Sequence, residues 1–265
     1  MKKFWFILTA LVATCFLVAC SRSQGVSPKT IKEKKKIVVA TESEFAPFEF
    51  KSLVNGKDTL VGADIELAKA IGEKLGVKVE FSVMSFDNVL ASVQSGKADV
   101  AIAGISVTDE RKKVYDFSDS YYTSENVVIV KKDKVNDYTS TDSLAKQTVG
   151  TQKGSVQETV AKKQISKASV VSLASNGEMI NELKSGQLQA VVLEKAIAEG
   201  YIAQNDDLTL ANFNLKSDGS DAYAVATRKG SDDLLKEINA VIKETKDSGK
   251  FDQWLKEAST YKQSK

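Results

Sequence analysis

The sequence predicts an α/β protein of two lobes, each a mostly parallel sheet flanked by helices. Three observations lead there. Short apolar runs alternate with amphipathic helical stretches, as strands joined by crossover helices do. The segment Leu90 to Val100, with a Ser95-Gly96 stop between helix and buried run, is echoed ninety positions later by Ile180 to Ala190 with Ser185-Gly186. Two polar stretches, Tyr121 to Glu125 and Asp218 to Asp221, mark chain crossings. The first lobe therefore takes residues 37–122 and 222–265, the second 126–218, and a hinge lies near 121–125 and 218–222.

The chain opens with Lys2 and Lys3 and then an uncharged, mostly apolar run from Phe4 to Ala19. That run is short for a membrane span, which needs ~20 residues, and has the layout of a secretory signal over residues 1–19. Leu17-Val18-Ala19-Cys20 resembles the lipobox of bacterial lipoproteins, in which cleavage precedes the cysteine and its thiol carries lipid. Residues 20–36, polar and lysine-rich, read as a solvated lipidated tether.

Ile37 to Ala40 is a short buried strand, followed by a loop from Thr41 to Phe50 with Phe45, Phe48 and Phe50. Wet phenylalanines are costly, at ~25 cal/mol per Å² of apolar surface. They plug the core or wall a ligand pocket. Gly62 to Leu75 places Ile65, Ala68, Ile71 and Leu75 on one helical face, with Gly76 as the stop. Val77 to Met84 reads as a strand, and Phe86, Leu90 and Val93 as a helix ending at Gly96.

Val100-Ala101-Ile102 is a buried strand that ends in Ala103-Gly-Ile-Ser-Val-Thr-Asp-Glu-Arg111. Ligands of open α/β sheets collect at such strand ends. Only Arg22, Arg111 and Arg228 are arginine among 37 basic residues. A guanidinium fits a carboxylate with two parallel donors, which an ammonium cannot copy. Arg111 grips a carboxylate, or it is a helix-start arginine paired with Asp109 or Asp116 on the surface.

In the second lobe, strands at Val127 to Val130, Thr148 to Gly150, Ser169 to Leu173 and Ala190 to Leu193 form the core. The helix start at Gly154-Ser155 holds an anionic or carbonyl group on its backbone N–H groups, or is simply a cap. The internal echo places Gly104 and Glu194 at equivalent strand ends of the two lobes. Facing lobes would set Arg111 against Glu194, an arrangement suited to the two charges of a zwitterion. Glu194 also sits where the macrodipole of the helix Lys195 to Ala203 favours an acid. The strand Ala222 to Thr227 and two amphipathic helices, opened by Ser231 and separated by Gly249, return to the first lobe.

Composition excludes several chemistries. There is no histidine, which removes Ser-His-Asp and Cys-His nucleophile systems and histidine-ligated metals. Of the two cysteines, Cys15 leaves with the signal and Cys20 is acylated, so no disulfide or thiolate remains. Without Lys2 and Lys3 the 37 basic residues become 35, equal to the 35 acidic, and nucleic acid is not an expected partner.

These residues resemble the polar amino-acid solute-binding lipoproteins of bacterial ABC importers, of the type II periplasmic-binding-protein fold. The resemblance runs from about Ile37 to Ser259. Its strongest parts are Thr41 to Phe50, Val61-Gly62-Ala63-Asp64-Ile65, Ser95 to Asp99, Gly104 to Arg111 with Phe117-Ser118, and Phe251-Asp252. It is nearest the glutamine-binding type, with the lysine/arginine/histidine binders close behind. The resemblance implies a monomer, lipid-anchored through Cys20 to the outer face of the cell membrane, that delivers an amino acid to permease subunits. It implies no cofactor.

Carried over, Phe45 and Phe86 sandwich the ligand side chain, and Arg111 grips its α-carboxylate. Gly104 backbone and the Ser106 hydroxyl complete that site, while Gly154-Ser155 closes from the second lobe. Glu194 takes the α-ammonium and Glu42 approaches the ligand, both where the family usually has the shorter aspartate. The acidic residues Glu42, Glu44 and Glu49 near the expected pocket mouth point toward a cationic ligand. The rival reading is an exported enzyme of the same fold, an arogenate-type dehydratase with Glu42 or Glu194 as general acid. A sensor or adhesin would share the site, but the sequence carries neither a kinase segment nor a second apolar span.

Overall fold

The computed structural model describes residues 25–216, 219 and 221–263. The expected signal, Cys20, and the opening of the second crossing at Asp218 lie outside the described residues.

The first helix of the described residues, α1 (Pro28–Lys34), lies where a solvated tether was expected. Ser27 caps it in a reciprocal capping box with Thr30, and Pro28 occupies the first turn. Ile31 is fully buried, Val26 nearly so, and the Val26 N–H donates to Ser231 Oγ at 2.7 Å. Two apolar residues among many polar ones were enough to dock this segment on the lobe, so the folded unit begins ahead of residue 37.

The first lobe continues with β1 (Lys36–Thr41), β2 (Glu44–Phe45), β3 (Glu49–Val54), β4 (Lys57–Val61), α2 (Ala63–Leu75), β5 (Lys78–Val83), α3 (Phe86–Gln94), β6 (Val100–Ala101), α4 (Asp109–Lys112) and β7 (Tyr115–Phe117). The first crossing carries β8 (Tyr122–Thr123). The second lobe holds β9 (Asn126–Lys131), β10 (Thr148–Gln152), α5 (Val156–Gln164), β11 (Ser169–Leu173), α6 (Asn176–Ser185), β12 (Ala190–Glu194), α7 (Lys195–Ala203) and β13 (Leu208–Leu210). The chain returns through β14 (Ala222–Tyr223) to β15 (Ala226–Arg228), α8 (Asp232–Asp247) and α9 (Lys250–Ala258).

Each lobe is built on a five-stranded sheet, in the orders β5-β1-β6-β15-β7 and β11-β10-β12-β9-β13. Four strands in each run in one direction, and one, β15 in the first sheet and β9 in the second, runs antiparallel between its neighbours. The echo holds in three dimensions: β6 and β12 are each a strand reached from a helix through a Ser-Gly stop, at Gly96 (φ 77°) and Gly186 (φ 84°). The expected single strand from Ala222 to Thr227 is divided. Its first part pairs with β8, joining the two crossings as an antiparallel ribbon, and its second part enters the first lobe's sheet.

The stretch Thr41 to Phe50, read as a loop, carries β2 and the start of β3, which belong to a third sheet, β2-β3-β4. Asn55 and Gly56 turn its hairpin with φ of 51° and 76°, the paired positive values that a tight two-residue turn requires. Phe48 and Phe50 are fully buried, and Phe48 packs on Tyr122 (ring centroids 4.9 Å) and Tyr223 (5.4 Å) beneath the crossings.

Candidate ligand-binding cleft

The strands of both lobes end toward one another, and the residues at their ends meet. Glu42, one residue beyond β1, is buried, and its carboxylate accepts from the Gln152 side-chain amide at 3.0 and 3.2 Å. Gln152 is the last residue of β10, so this contact spans the lobes. Burial pushes the Glu42 carboxyl up to about 8; Gln152 opposes the rise, while Glu44 and Glu194 add to it.

Glu194 closes β12 and is also buried. Burial raises its carboxyl to about 7, with Gln157, Tyr223 and Arg111 pulling it back. Gln157 itself donates to Asn126 Oδ1 at 2.7 Å, and Asn126 lies opposite Glu194 in the β9–β12 register. Glu194 makes no side-chain cap on α7, so its carboxylate is not spent on the helix that follows.

Arg111 lies in α4, whose short turn is fixed by Thr108 accepting the Arg111 backbone N–H at 3.1 Å. Its Nη1 donates to the Ser106 carbonyl at 2.7 Å, and its Nη2 crosses the cleft to the Gly154 carbonyl at 3.1 Å. The guanidinium carbon stands 5.8 Å from the centroid of the buried Phe86 ring, a cation–π distance. Burial lowers the Arg111 pKa to about 10, and Glu194 resists that fall. The surface-pair alternative fails, because Asp109 pairs with Lys112 and Asp116 with Lys229.

Phe45 packs against Gly104. A Cβ on Gly104 would stand 2.5 Å from Phe45 Cε1, and the residue has φ 53°, so both space and backbone demand glycine. The Gly104 N–H, however, donates to Asp64 Oδ2 at 3.1 Å, inside the lobe. That N–H is engaged within the lobe, and the absence of a side chain at Gly104 admits the Phe45 ring. Ser106 is buried, and its carbonyl orients Arg111.

The Gly154-Ser155 turn resolves toward the cap. The Gly154 N–H is held by Glu158 Oε2 at 2.9 Å, and Ser155 Oγ accepts the Glu158 N–H while donating to the Gln152 carbonyl. These groups are satisfied within the turn, and only the Gly154 carbonyl reaches across, to Arg111. Arg111, Gly154 and Ser155 line a cavity of about 570 Å³ together with Thr108 and Thr159.

The three acidic residues expected at the pocket mouth separate. Glu42 faces the cleft. Glu44 reaches the second lobe at Ser175 and Gly177. Glu49 is fully buried inside the first lobe beside Asp64, where desolvation and the Asp64 charge push its carboxyl well above the ordinary range. Asp64, raised to about 6 by burial, accepts from Gly104 N–H and from the Tyr121 hydroxyl at 2.8 Å, tying the strand end to the first crossing.

Sequence reasoning missed Gln152, Gln157 and Asn126. Gln152 had a readable signal, a polar residue closing a buried strand where α/β sheets place ligand contacts. Asn126 and Gln157 become legible only when β9 and α5 are set side by side.

Residues 37–258 match the bacterial extracellular solute-binding proteins, family 3. The arginine-binding extracellular protein ArtP of Bacillus subtilis is 34% identical over 261 residues, covering 97% of each chain. Among solved structures, the amino acid ABC transporter substrate-binding protein AbpA of Streptococcus pneumoniae, bound to L-arginine, superposes with a TM-score of 0.86 at 50% identity. The match covers 89% of this chain and 100% of that one. The ancestral amino acid-binding protein AncCDT-1, a precursor of cyclohexadienyl dehydratase, superposes with a TM-score of 0.79 at 33% identity, over 88% of this chain and 99% of its own.

Proposed function

Because the chain belongs to the bacterial extracellular solute-binding proteins of family 3, we propose that it captures a cationic L-amino acid, L-arginine foremost, between its lobes and delivers it to an ABC permease. One observation carries the ligand class. The cleft sets one guanidinium, Arg111, against two buried carboxyls, Glu42 and Glu194. A ligand with one carboxylate and two cationic groups balances all three. A neutral side chain would leave one buried carboxylate uncompensated, which costs several kcal/mol or forces it to stay protonated. The α-carboxylate goes to Arg111, the α-ammonium to Glu194, and the side-chain cation to Glu42 with Gln152, beside Phe45 and Phe86. The relatives bound to or named for arginine support the same choice.

Closure occurs by hinge motion at the paired crossings near 121–125 and 218–222. The N-terminal signal and the Leu17 to Cys20 lipobox support export and lipid anchoring, with the protein acting as a monomer on the outer face of the membrane. Replacing Cys20 by serine abolishes labelling by a radioactive fatty acid if this anchoring is right.

The reading is of a binding protein without turnover. Glu42 and Glu194, titrating near neutrality, are the groups a dehydratase would use, and the AncCDT-1 likeness makes that rival concrete. A thermal-shift panel of the twenty amino acids separates these readings, since a ligand that binds only the folded state raises its melting temperature. Arginine gives the largest rise and lysine the next. A larger rise with a neutral amino acid overturns the ligand class, and product formed from arogenate overturns the absence of turnover.

A further inference from the structure

Glu42, Glu44 and Phe45 leave one short stretch in three directions. Glu42 enters the cleft and Phe45 packs on Gly104, but Glu44 points away from both, onto the second lobe. Its Oε2 accepts from Ser175 Oγ and from the Gly177 N–H at 2.9 Å, at the start of α6. Its backbone carbonyl accepts from the Tyr201 hydroxyl of α7 at 3.2 Å.

We propose that Glu44 is a closing latch: it sets how tightly and how long the cleft holds its amino acid by tying β2 of the first lobe to the start of α6 in the second, without touching the ligand. This rests on the binding-cleft reading above. Every acceptor in these three bonds belongs to the first lobe and every donor to the second, so opening breaks all of them together. The carboxylate meets the positive end of α6 and a backbone N–H that has no partner within the helix, and such charge-assisted bonds are about twice as strong as neutral ones. Ser175 serves both sides, donating to Glu44 while accepting the Glu178 N–H as the helix cap. Glu44 Oε2 comes close to Gly177, where a Cβ would stand 3.4 Å away in ordinary contact.

The last described residue supports the second leg. Gln263 pairs with Ser52 of β3, and its side-chain amide donates to the Tyr201 hydroxyl oxygen at 3.4 Å. The latch lies along an open cavity of about 870 Å³ that Glu44, Ser175, Tyr201 and Gln263 help to line. Water in that cavity takes over the α6 N–H groups when Glu44 is removed, so the substitution leaves the lobes folded. A separate ion pair, Lys153 with Asp87 at 2.8 Å, joins the lobes elsewhere.

Stopped-flow binding and titration calorimetry with L-arginine on the purified full chain test the latch. Glu44→Ala raises the dissociation rate about tenfold and Tyr201→Phe raises it about threefold. Association rate, ligand order and ligand-free melting temperature stay as in the wild type, which a merely structural residue would not leave in place. Wild-type dissociation rates in both variants overturn the latch, and so does a changed ligand order, which would make Glu44 a ligand contact. If Glu44→Ala does not fold, an unchanged rate in Tyr201→Phe alone overturns it. A wild type that binds no amino acid removes the function reading and the latch with it; a wild type that binds no better than folded Glu44→Ala removes only the latch.

Discussion

The two cleft carboxyls make amino-acid affinity depend on pH in a way that reports the ligand's charge. In the ligand-free cleft Glu42 titrates at about 8 and Glu194 at about 7, both raised first by burial. A ligand cation beside each favours the ionised form and lowers both values, so binding expels whatever protons the carboxyls carry. The groups facing them modulate this: Glu44 adds repulsion at Glu42, while Arg111, Gln157 and Tyr223 favour ionised Glu194. Above pH 8 both are ionised and affinity is flat. Between 8 and 7 only Glu42 must release a proton, and arginine affinity falls about tenfold per pH unit as pH drops. Below 7 both must release one, and the fall steepens toward about a hundredfold per unit until the bound-state values are reached. A neutral amino acid needs Glu194 ionised and Glu42 protonated, so its affinity is flat only between about 7 and 8, falls about tenfold per unit beneath 7, and falls again as pH rises above 8. Titration calorimetry in buffers of different ionisation enthalpy counts the protons directly: near pH 6, roughly two leave with arginine and one with a neutral amino acid. Arginine affinity independent of pH between about 5.5 and 8, or proton uptake on binding, refutes the assignment of these carboxyls to the ligand's cations.

Four further outcomes follow from the same geometry. Without ligand, folded Glu42 and Glu194 keep protons that the unfolded chain loses near 4.5, so these groups make the protein less stable as pH rises from 4.5 through 7 and 8; saturating arginine removes that decline, as scanning calorimetry would record. Arg111→Ala loses arginine affinity by two or more decades while staying folded, since truncating one partner of a desolvated charge pair costs ~2 to 5 kcal/mol; unchanged affinity in titration calorimetry sinks the site. Gly104→Ala drives a methyl to 2.5 Å from the Phe45 ring and strains a left-handed backbone; it costs about 1 to 3 kcal/mol in denaturant unfolding and weakens binding, and a neutral result contradicts the packing. Ile31→Ala, in the segment expected to be a tether, costs about 2 to 5 kcal/mol; a shift below ~0.5 kcal/mol would mean that α1 is not part of the core.

What the sequence made legible was what local rules determine. The helical face of Ile65, Ala68, Ile71 and Leu75 is buried, and the positive-φ stop at Gly76 follows it. The Ser-Gly echo at Gly96 and Gly186 carried the two-lobe architecture and put Glu194 opposite the Arg111 strand end. The hairpin around Asn55-Gly56 was also within reach, its Asn-Gly pair being a turn signal between two strands. Other misses came from tertiary context. Gly154 and Ser155 look the same in sequence whether their N–H groups await a ligand or are held by Glu158. Glu42, Glu44 and Glu49 look like one acidic mouth, yet Gln152, the α6 start and Asp64 give them three separate surroundings. Ile31 stands alone among lysines, and only the surface it docks on makes it core.

The paired crossings β8 and β14 return the chain to the lobe in which it began. Val26 is pinned to Ser231 beside the start of α8, and Gln263 pairs with Ser52 of β3, so both ends of the described chain belong to the first lobe. The described chain therefore enters through that lobe. The first lobe is then the stator and the second the rotor. Under the hinge closure proposed above, the second lobe would move through solvent without dragging an N-terminal anchor, and the empty and filled states would differ to a permease mainly by where the rotor stands.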